Sequence, residues 1–274
     1  WIGRRLAGEV AGGLAAFLFA VLSTDPYLFG NGSNMEHMMN FFSAASLGLV
    51  LLGWNREKVW PFALAGAALG AATLVKQVAA LPFAVYLAAL AFRPSKGRLS
   101  GIGALGLGFG LTLAAAADVL ILQGAGLAAY DDIVRFGRAM ATDVAPEPGA
   151  PSGWIRWLTG NADPRGNLPW PFGTTDYLVW WGGGSWPTWL AAPACLLHLA
   201  FAPTTSPSRK LVAAWTLAAM LEVVLPGMYW AHYYLLPTPG LALALAITGA
   251  DCLAGLRLKV RPADLGGAAV VAAA

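Results

Sequence analysis

WPFALAGAALGAATLVKQVAALPFAVYLAALAF, residues 60–92, is the stretch whose reading decides the fold. As one helix its 33 residues would reach about 50 Å at ~1.5 Å per residue, well beyond the roughly 30 Å hydrocarbon core of a bilayer. The chain is therefore expected to fold back inside it. Lys76-Gln77 is the only polar pair in the stretch, so the turn belongs there and separates two apolar helices, 61–75 and 78–92. Gly66 and Gly70 in the first helix form a small-xxx-small pattern that lets a neighbouring helix approach closely.

Working outward, the same texture recurs along the chain. Hydrophobic residues make up 58% and charged ones 11%, and the mean hydropathy is +0.61; a soluble globule carries about 25% charged residues. Apolar runs of near membrane length occupy 6–22, 37–53, 100–122, 187–202, 211–229 and 234–252, and a further run begins near Asp264. With the two halves of 60–92 this predicts an all-α fold, a polytopic bundle of about eight transmembrane helices forming one domain over 1–274. The net charge of +3 comes from small scattered clusters, which leaves no footprint for nucleic acid. Cys195 and Cys252 both lie in apolar runs, so neither a disulfide framework nor a cysteine metal site is expected. The chain opens on Trp1 without a signal-peptide pattern and ends inside an apolar run. We expect it to be an internal portion of a longer protein.

The connecting segments predict orientation. If eight helices alternate, Arg4, Arg5, Arg56, Lys58, Arg93, Lys96, Arg98, Arg209, Lys210, Arg257, Lys259 and Arg261 share one side. These are twelve of the 17 basic residues, and the positive-inside rule makes their side cytoplasmic. Asp25, Glu36, Asp131, Asp132, Asp143, Glu147, Asp163 and Asp176 then collect on the other side, together with Lys76 and the His232 turn.

The segment STDPYLFGNGSNMEH, residues 23–37, is the polar hinge on that side. Its Pro, Gly and Asn residues interrupt helix, and its acids are conspicuous in so apolar a chain. Ser33-Asn34-Met35-Glu36 fits a capping box, a structural role for Glu36 that can coexist with a chemical one. Asp25 before Pro26 can cap the helix end or turn. Asn31-Gly32-Ser33 is formally a glycosylation sequon. Lys76, a cation at the junction of two apolar helices, needs a counter-ion, a route to the interface or an anionic ligand. His232 can cap its turn or bind phosphate. Glu9, Asp118 and Glu222 fall within expected spans and should pair or line a polar cavity, and His198 reads as a hydrogen-bonded packing residue.

Two features invite other readings. Gly101-Ile102-Gly103-Ala104-Leu105-Gly106 matches G-x-G-x-x-G, but a dinucleotide site needs the motif after a strand and opening a helix. In a membrane-length apolar run it reads as helix packing. Residues 123–186 form a long outer loop, the sort of segment that carries function. Within it Tyr130 to Arg138 has helical spacing with Asp131 and Arg135 at i,i+4. Trp154, Trp157, Trp170, Trp180, Trp181 and Trp186 suit the headgroup region or stacking against a sugar ring. H-E-x-x-H, Walker A and G-x-S-x-G patterns are absent from the sequence.

Taken together, Pro26 to Gly53 with Asn34-Met35-Glu36 opening a helix, Leu64 through Lys76-Gln77, and Tyr229-Trp230-Ala231-His232-Tyr233-Tyr234-Leu235-Leu236-Pro237 resemble the polytopic GT-C glycosyltransferases. The resemblance is to the branch of protein O-mannosyltransferases and aminoarabinose transferases. It covers roughly 20–95 and 212–250, with a weaker match over Tyr130 to Phe136. It implies transfer of a sugar from a polyprenyl-phosphate carrier to a lipid, glycan or protein acceptor, with the lipid bilayer as surroundings. It further implies a multi-pass protein of the bacterial inner-membrane type, with its site on the non-cytoplasmic face. On this likeness Lys76, His232, Tyr233, Arg135 and Arg138 would bind the donor phosphate, and Glu36, Asn34 and Asp25 would be supporting catalytic residues. The main base would lie in an outer loop upstream of residue 1, and a divalent metal would be optional. A lipid-linked substrate transporter or flippase, its path lined by Glu9, Asp118 and Glu222, is the alternative reading of the same polar residues.

Overall fold

The computed structural model describes residues 1–28, 30, 32, 34–56, 58–93, 97–136, 185–203, 205–225 and 231–259. Among them the chain is helical throughout, without strands. Its helices are α1 (Ile2–Ser23), α2 (Met35–Arg56), α3 (Trp60–Val75), α4 (Leu81–Ala91), α5 (Arg98–Leu122), α6 (Gly126–Tyr130), α7 (Trp186–Phe201), α8 (Pro207–Val224) and α9 (Thr238–Lys259). Tight 3-10 turns occupy Pro26–Leu28, Gln77–Ala80 and Ala231–Leu235. Each of the eight expected apolar runs is mainly helical over its described residues, and the chain does fold back at Lys76; residues 226–229 and the run near Asp264 lie outside the described residues.

Four helical stretches have the length and apolarity to cross a membrane: Ile2–Ser23, Met35–Trp54, Arg98–Leu122 and Thr238–Gly255. The others fall short for identifiable reasons. Trp60–Val75, Gln77–Ala91 and Pro187–Phe201 are shorter apolar helices, and α8 carries Arg209, Lys210 and Glu222 within its 18 residues. α1 is also not one straight rod. Ala7 and Gly8 leave helical geometry, Gly8 at φ 86°, a left-handed conformation that only glycine adopts readily.

Packing follows the small residues. A Cβ on Gly66 would collide with the Leu105 carbonyl oxygen, and one on Gly108 with the Ala63 carbonyl oxygen, so α3 and α5 touch backbone to backbone as a small-residue seam allows. The G-x-G-x-x-G stretch lies inside α5, which removes the strand-to-helix context of a nucleotide loop. Only part of that motif packs: Gly101 faces Phe62 and Leu90, whereas Gly103 and Gly106 face open space. The helix-packing role expected of this stretch is thus met by Gly101 and by the Leu105 backbone against Gly66, and Gly108 continues the same seam. α8 is pinned to α2 where the Trp215 indole N–H donates to Ser43 Oγ at 3.0 Å.

Successive helices alternate in direction, so polar groups gather at two ends. One end holds the 25–34 connection, the Lys76 turn, Ser185 and the Ala231–Leu235 turn. The other holds Trp54 with Arg93, and Leu6 with His198, Arg209 and Asp251.

Candidate functional site

The site grows from two helix ends meeting a turn. Glu36 stands in the first turn of α2 and is buried, with Met39 and Asn40 on the same inward face, as i,i+3 and i,i+4 spacing dictates. α3 stops at Lys76, whose backbone is extended at φ −158°, ψ 129° while its N–H still closes the last turn on the Ala72 carbonyl. This change of direction lets Lys76 reach α2. Its Nζ donates to Glu36 Oε1 at 2.6 Å and lies 3.5 Å from the Tyr233 ring centroid.

The pair is deeply placed, with side-chain exposures of 23% for Lys76 and 3% for Glu36. Burying two ions is tolerable only when they meet in good geometry, and the short charge-assisted contact meets that condition. The aromatic face adds a cation–π attraction of about 0.5–2 kcal/mol. His232 Nε2 stands 3.9 Å from the same Glu36 oxygen, and its ring meets Tyr233 edge to face at 4.9 Å. Burial holds the His232 imidazole below the ordinary value of 6.5; Lys76 pushes the same way and Glu36 opposes. The turn carrying His232 and Tyr233 is fixed by Asn40, whose Nδ2 donates to the Leu235 carbonyl at 2.7 Å.

Asp25 is also buried, and it ties a distant part of the chain to this end. Its carboxylate accepts the Ser185 N–H at 3.0 Å and the Ser185 hydroxyl, at the start of α7, where the helix dipole favours negative charge. The Asp25 main-chain carbonyl accepts the N–H groups of Leu28 and Gly30, so Asp25 closes the turn expected of it through its backbone. The Pro26–Leu28 turn packs on the Ala231–Leu235 turn, so the Asp25 tie and the Glu36 cluster share one end of the bundle. Asn34 lies just ahead of α2, its carbonyl accepting the His37 N–H at 3.2 Å, and His37 Nε2 meets the Gly30 carbonyl at 3.1 Å.

Other expected residues are placed differently. Asp131–Phe136 forms a π-type turn after α6, in which bonds run i to i+5. The Arg135 side chain, Arg138, Ser33 of the capping box, Asn31 of the sequon, and Trp154, Trp157, Trp170, Trp180 and Trp181 lie outside the described residues. Glu9 pairs with Arg4 at 2.7 Å on the surface, Asp118 is exposed, and Glu222 is buried on α8. These three acids therefore do not line one path.

Beside the cluster, a groove of about 740 Å³ runs between α1, α2 and α9. Its upper part touches Ser23, His37 and Asn40, and it continues past Phe19, Ala44 and Gly48 to Leu52 and Trp1. From His37 to Leu52 it follows α2 for about 22 Å at ~1.5 Å per residue. Polar groups at one end and small or aromatic residues along the rest give it the character of an amphiphile's channel.

Comparisons of the chain with protein-family models, curated proteins and solved structures return no match. The site must therefore be interpreted from its own chemistry. A divalent metal fits poorly: among the described residues no three His, Cys, Asp or Glu side chains converge, and the buried Glu36 carboxylate already faces an ammonium. What the arrangement can do is present a cation, an imidazole and a phenol ring to an anion; the groove meets this end of the bundle through His37 and Asn40 and is not lined by Lys76, Glu36, His232 or Tyr233. Asn40 and Ser185 were missed by sequence reading. Asn40 was within reach, four residues after Glu36 on the same face; Ser185 was not, being 160 positions from Asp25.

Proposed function

We propose that the chain is a membrane glycosyltransferase that transfers a sugar from a polyprenyl-phosphate carrier to a lipid, glycan or protein acceptor. In this reading all eight apolar helices belong to the membrane bundle, the basic end is cytoplasmic, and the Glu36 end faces the opposite side. The observation that carries the proposal is the Lys76 ammonium, held by buried Glu36 and flanked by His232 and Tyr233 close to an apolar groove that reaches Asn40 and His37.

The chemistry requires that the bond between the sugar's anomeric carbon and the phosphate oxygen break while an acceptor oxygen attacks that carbon. The departing phosphate gains negative charge, and a cation fixed in a water-poor site stabilises it more effectively than in water. Lys76 supplies that cation and His232 an adjacent hydrogen-bonding group. Glu36 aims the ammonium, and Asp25 secures the start of α7 beside it. Arg135 and Arg138, in the segment after α5, would be additional phosphate ligands, and Asn34 a polar group at the mouth. The acceptor's proton passes to a carboxylate base that the GT-C likeness puts upstream of residue 1.

The test is sugar transfer by full-length protein in proteoliposomes supplied with a synthetic polyprenyl-phosphate sugar, reading both glycosylated acceptor and released polyprenyl phosphate. Lys76→Ala should reduce kcat by at least about 100-fold, the scale seen when a group stabilising developing charge is removed. Transfer at the wild-type rate by Lys76→Ala and Glu36→Gln would remove these residues from the site. Movement of the lipid-linked sugar across the bilayer without transfer would replace the enzyme by a flippase, but the divergent placement of Glu9, Asp118 and Glu222 gives that reading no common path.

A further inference from the structure

Three buried polar side chains that belong to neither cluster come from three neighbouring helices. Ser46 stands midway along α2, Tyr86 midway along α4 and Glu222 in the last turn of α8, and α8 packs on both of the others. Ser46 and Tyr86 are fully buried and Glu222 is 4% exposed. Ser46 and Glu222 both act on the Tyr86 hydroxyl. Neither hydroxyl nevertheless closes a hydrogen bond, and among the described residues Glu222 makes no hydrogen bond or ion pair. An acid within a membrane bundle is expected to pair or to line a polar cavity, and Glu222 has no pair.

Other hydroxyls in these helices are satisfied internally. Thr73, Thr112 and Thr216 each donate to the carbonyl four residues before, at 2.9, 3.0 and 2.7 Å, the return bond by which a hydroxyl settles in an apolar helix. Ser46 follows Phe42 by the same four residues and makes no such bond. Ser43, one turn earlier on α2, is already engaged by the Trp215 indole. Buried polar groups are costly to leave unmet and are seldom left so. Three of them, drawn from three helices and close without bonding, have the arrangement that a bridging water completes.

We propose that Ser46, Tyr86 and Glu222 form an internal binding site for a water molecule that links α2, α4 and α8. The water accepts from the Tyr86 hydroxyl and donates to Ser46 Oγ and to the Glu222 carboxyl, three bonds being the usual number for a buried water. A direct bond between the two hydroxyls would leave Glu222 unmet, whereas a water serves all three groups at once. The site explains how α8 keeps an acid in its buried face, and it does not depend on the proposed sugar transfer.

X-ray radiolytic labelling of the full-length protein in detergent, read by mass spectrometry, tests this directly, because a bound water broken by the beam oxidises the side chain it touches. Tyr86 should gain oxygen faster than Phe62, a buried ring in the seam between α3 and α5. Ser46→Val, which fills the water's place, and Glu222→Leu, which removes one of its partners, should each bring Tyr86 down to the level of Phe62. Glu222→Gln, which keeps a hydrogen-bonding group, should retain the wild-type rate. Labelling of Tyr86 no faster than Phe62 in the wild-type protein overturns the proposal, and that comparison needs no variant to fold. Wild-type labelling of Tyr86 in Ser46→Val, or in Glu222→Leu, also overturns it, since the oxidation would then come from opening of the bundle or from a water that Glu222 does not hold.

Discussion

The two ends of the bundle each hold a cation against a carboxylate, yet they are built for different ends. At one, Lys76 meets Glu36, and the second contact of the ammonium is the face of Tyr233. At the other, Arg209 donates to Asp251 at 2.7 Å and twice to the Leu6 carbonyl, which the break at Ala7 and Gly8 leaves exposed to it. His198 adds a contact to the same Asp251 oxygen at 3.2 Å. The arginine cluster has its donors occupied by fixed protein oxygens and acts as a fastener. The lysine cluster is more buried, and among the described residues its ammonium makes one hydrogen bond out of the three it can donate. A residual capacity to donate is what separates the lysine cluster from the arginine clamp.

The largest expected effect tests that contrast in stability. Lys76→Met leaves the Glu36 carboxylate buried without its partner and should lower thermal stability in detergent by about 3–5 kcal/mol. The Lys76→Met, Glu36→Gln double variant should recover most of it. Arg209→Met leaves Asp251 about a third exposed and should cost only about 1–2 kcal/mol. If the arginine variant proves the more damaging, the lysine end is the clamp and the assignment reverses. A smaller effect probes the aromatic contact: Tyr233→Leu should remove about 0.5–2 kcal/mol, whereas Tyr233→Phe, which keeps the ring, should behave like wild type in the same melt. The smallest effect is a pH slope. Because His232 binds its proton less readily folded than unfolded, the unfolded state takes up more protons, and stability is fully present above pH 6.5. It should fall as the solution is acidified below that value, by at most about 1.4 kcal/mol per pH unit for one proton, and His232→Gln should flatten the slope.

Much of this was legible in the sequence because it is written locally. Lys76-Gln77 as a reversal depends on one polar pair in an apolar run, and the described parts of the eight expected runs are mainly helical because hydrophobic length alone selects helix. Gathering Lys76, Glu36 and His232 at one end required only alternation of helices. What failed to be legible depends on particular three-dimensional meetings. The bond from Asp25 to Ser185 spans 160 positions, the break at Ala7 is local but was hidden in an apolar run, and the choice of Gly108 over Gly106 as a contact depends on helix rotation about its axis.

The sequence separations of these ties also order the protein's biogenesis. Glu36 waits only 40 positions for Lys76, so the α2–α3 pair can neutralise its charges soon after both have been made. Asp25 waits 160 positions for Ser185, Asn40 waits 195 for Leu235, and the Leu6 carbonyl waits 203 for Arg209. At roughly 5–20 residues per second of synthesis those three groups spend on the order of ten to forty seconds without their final partners. A ribosome that stalls before α7 would thus hold a nascent chain with the Arg4–Glu9 and Lys76–Glu36 pairs able to close while Ser185, Leu235 and Arg209 are still unmade, a ready substrate for membrane quality control.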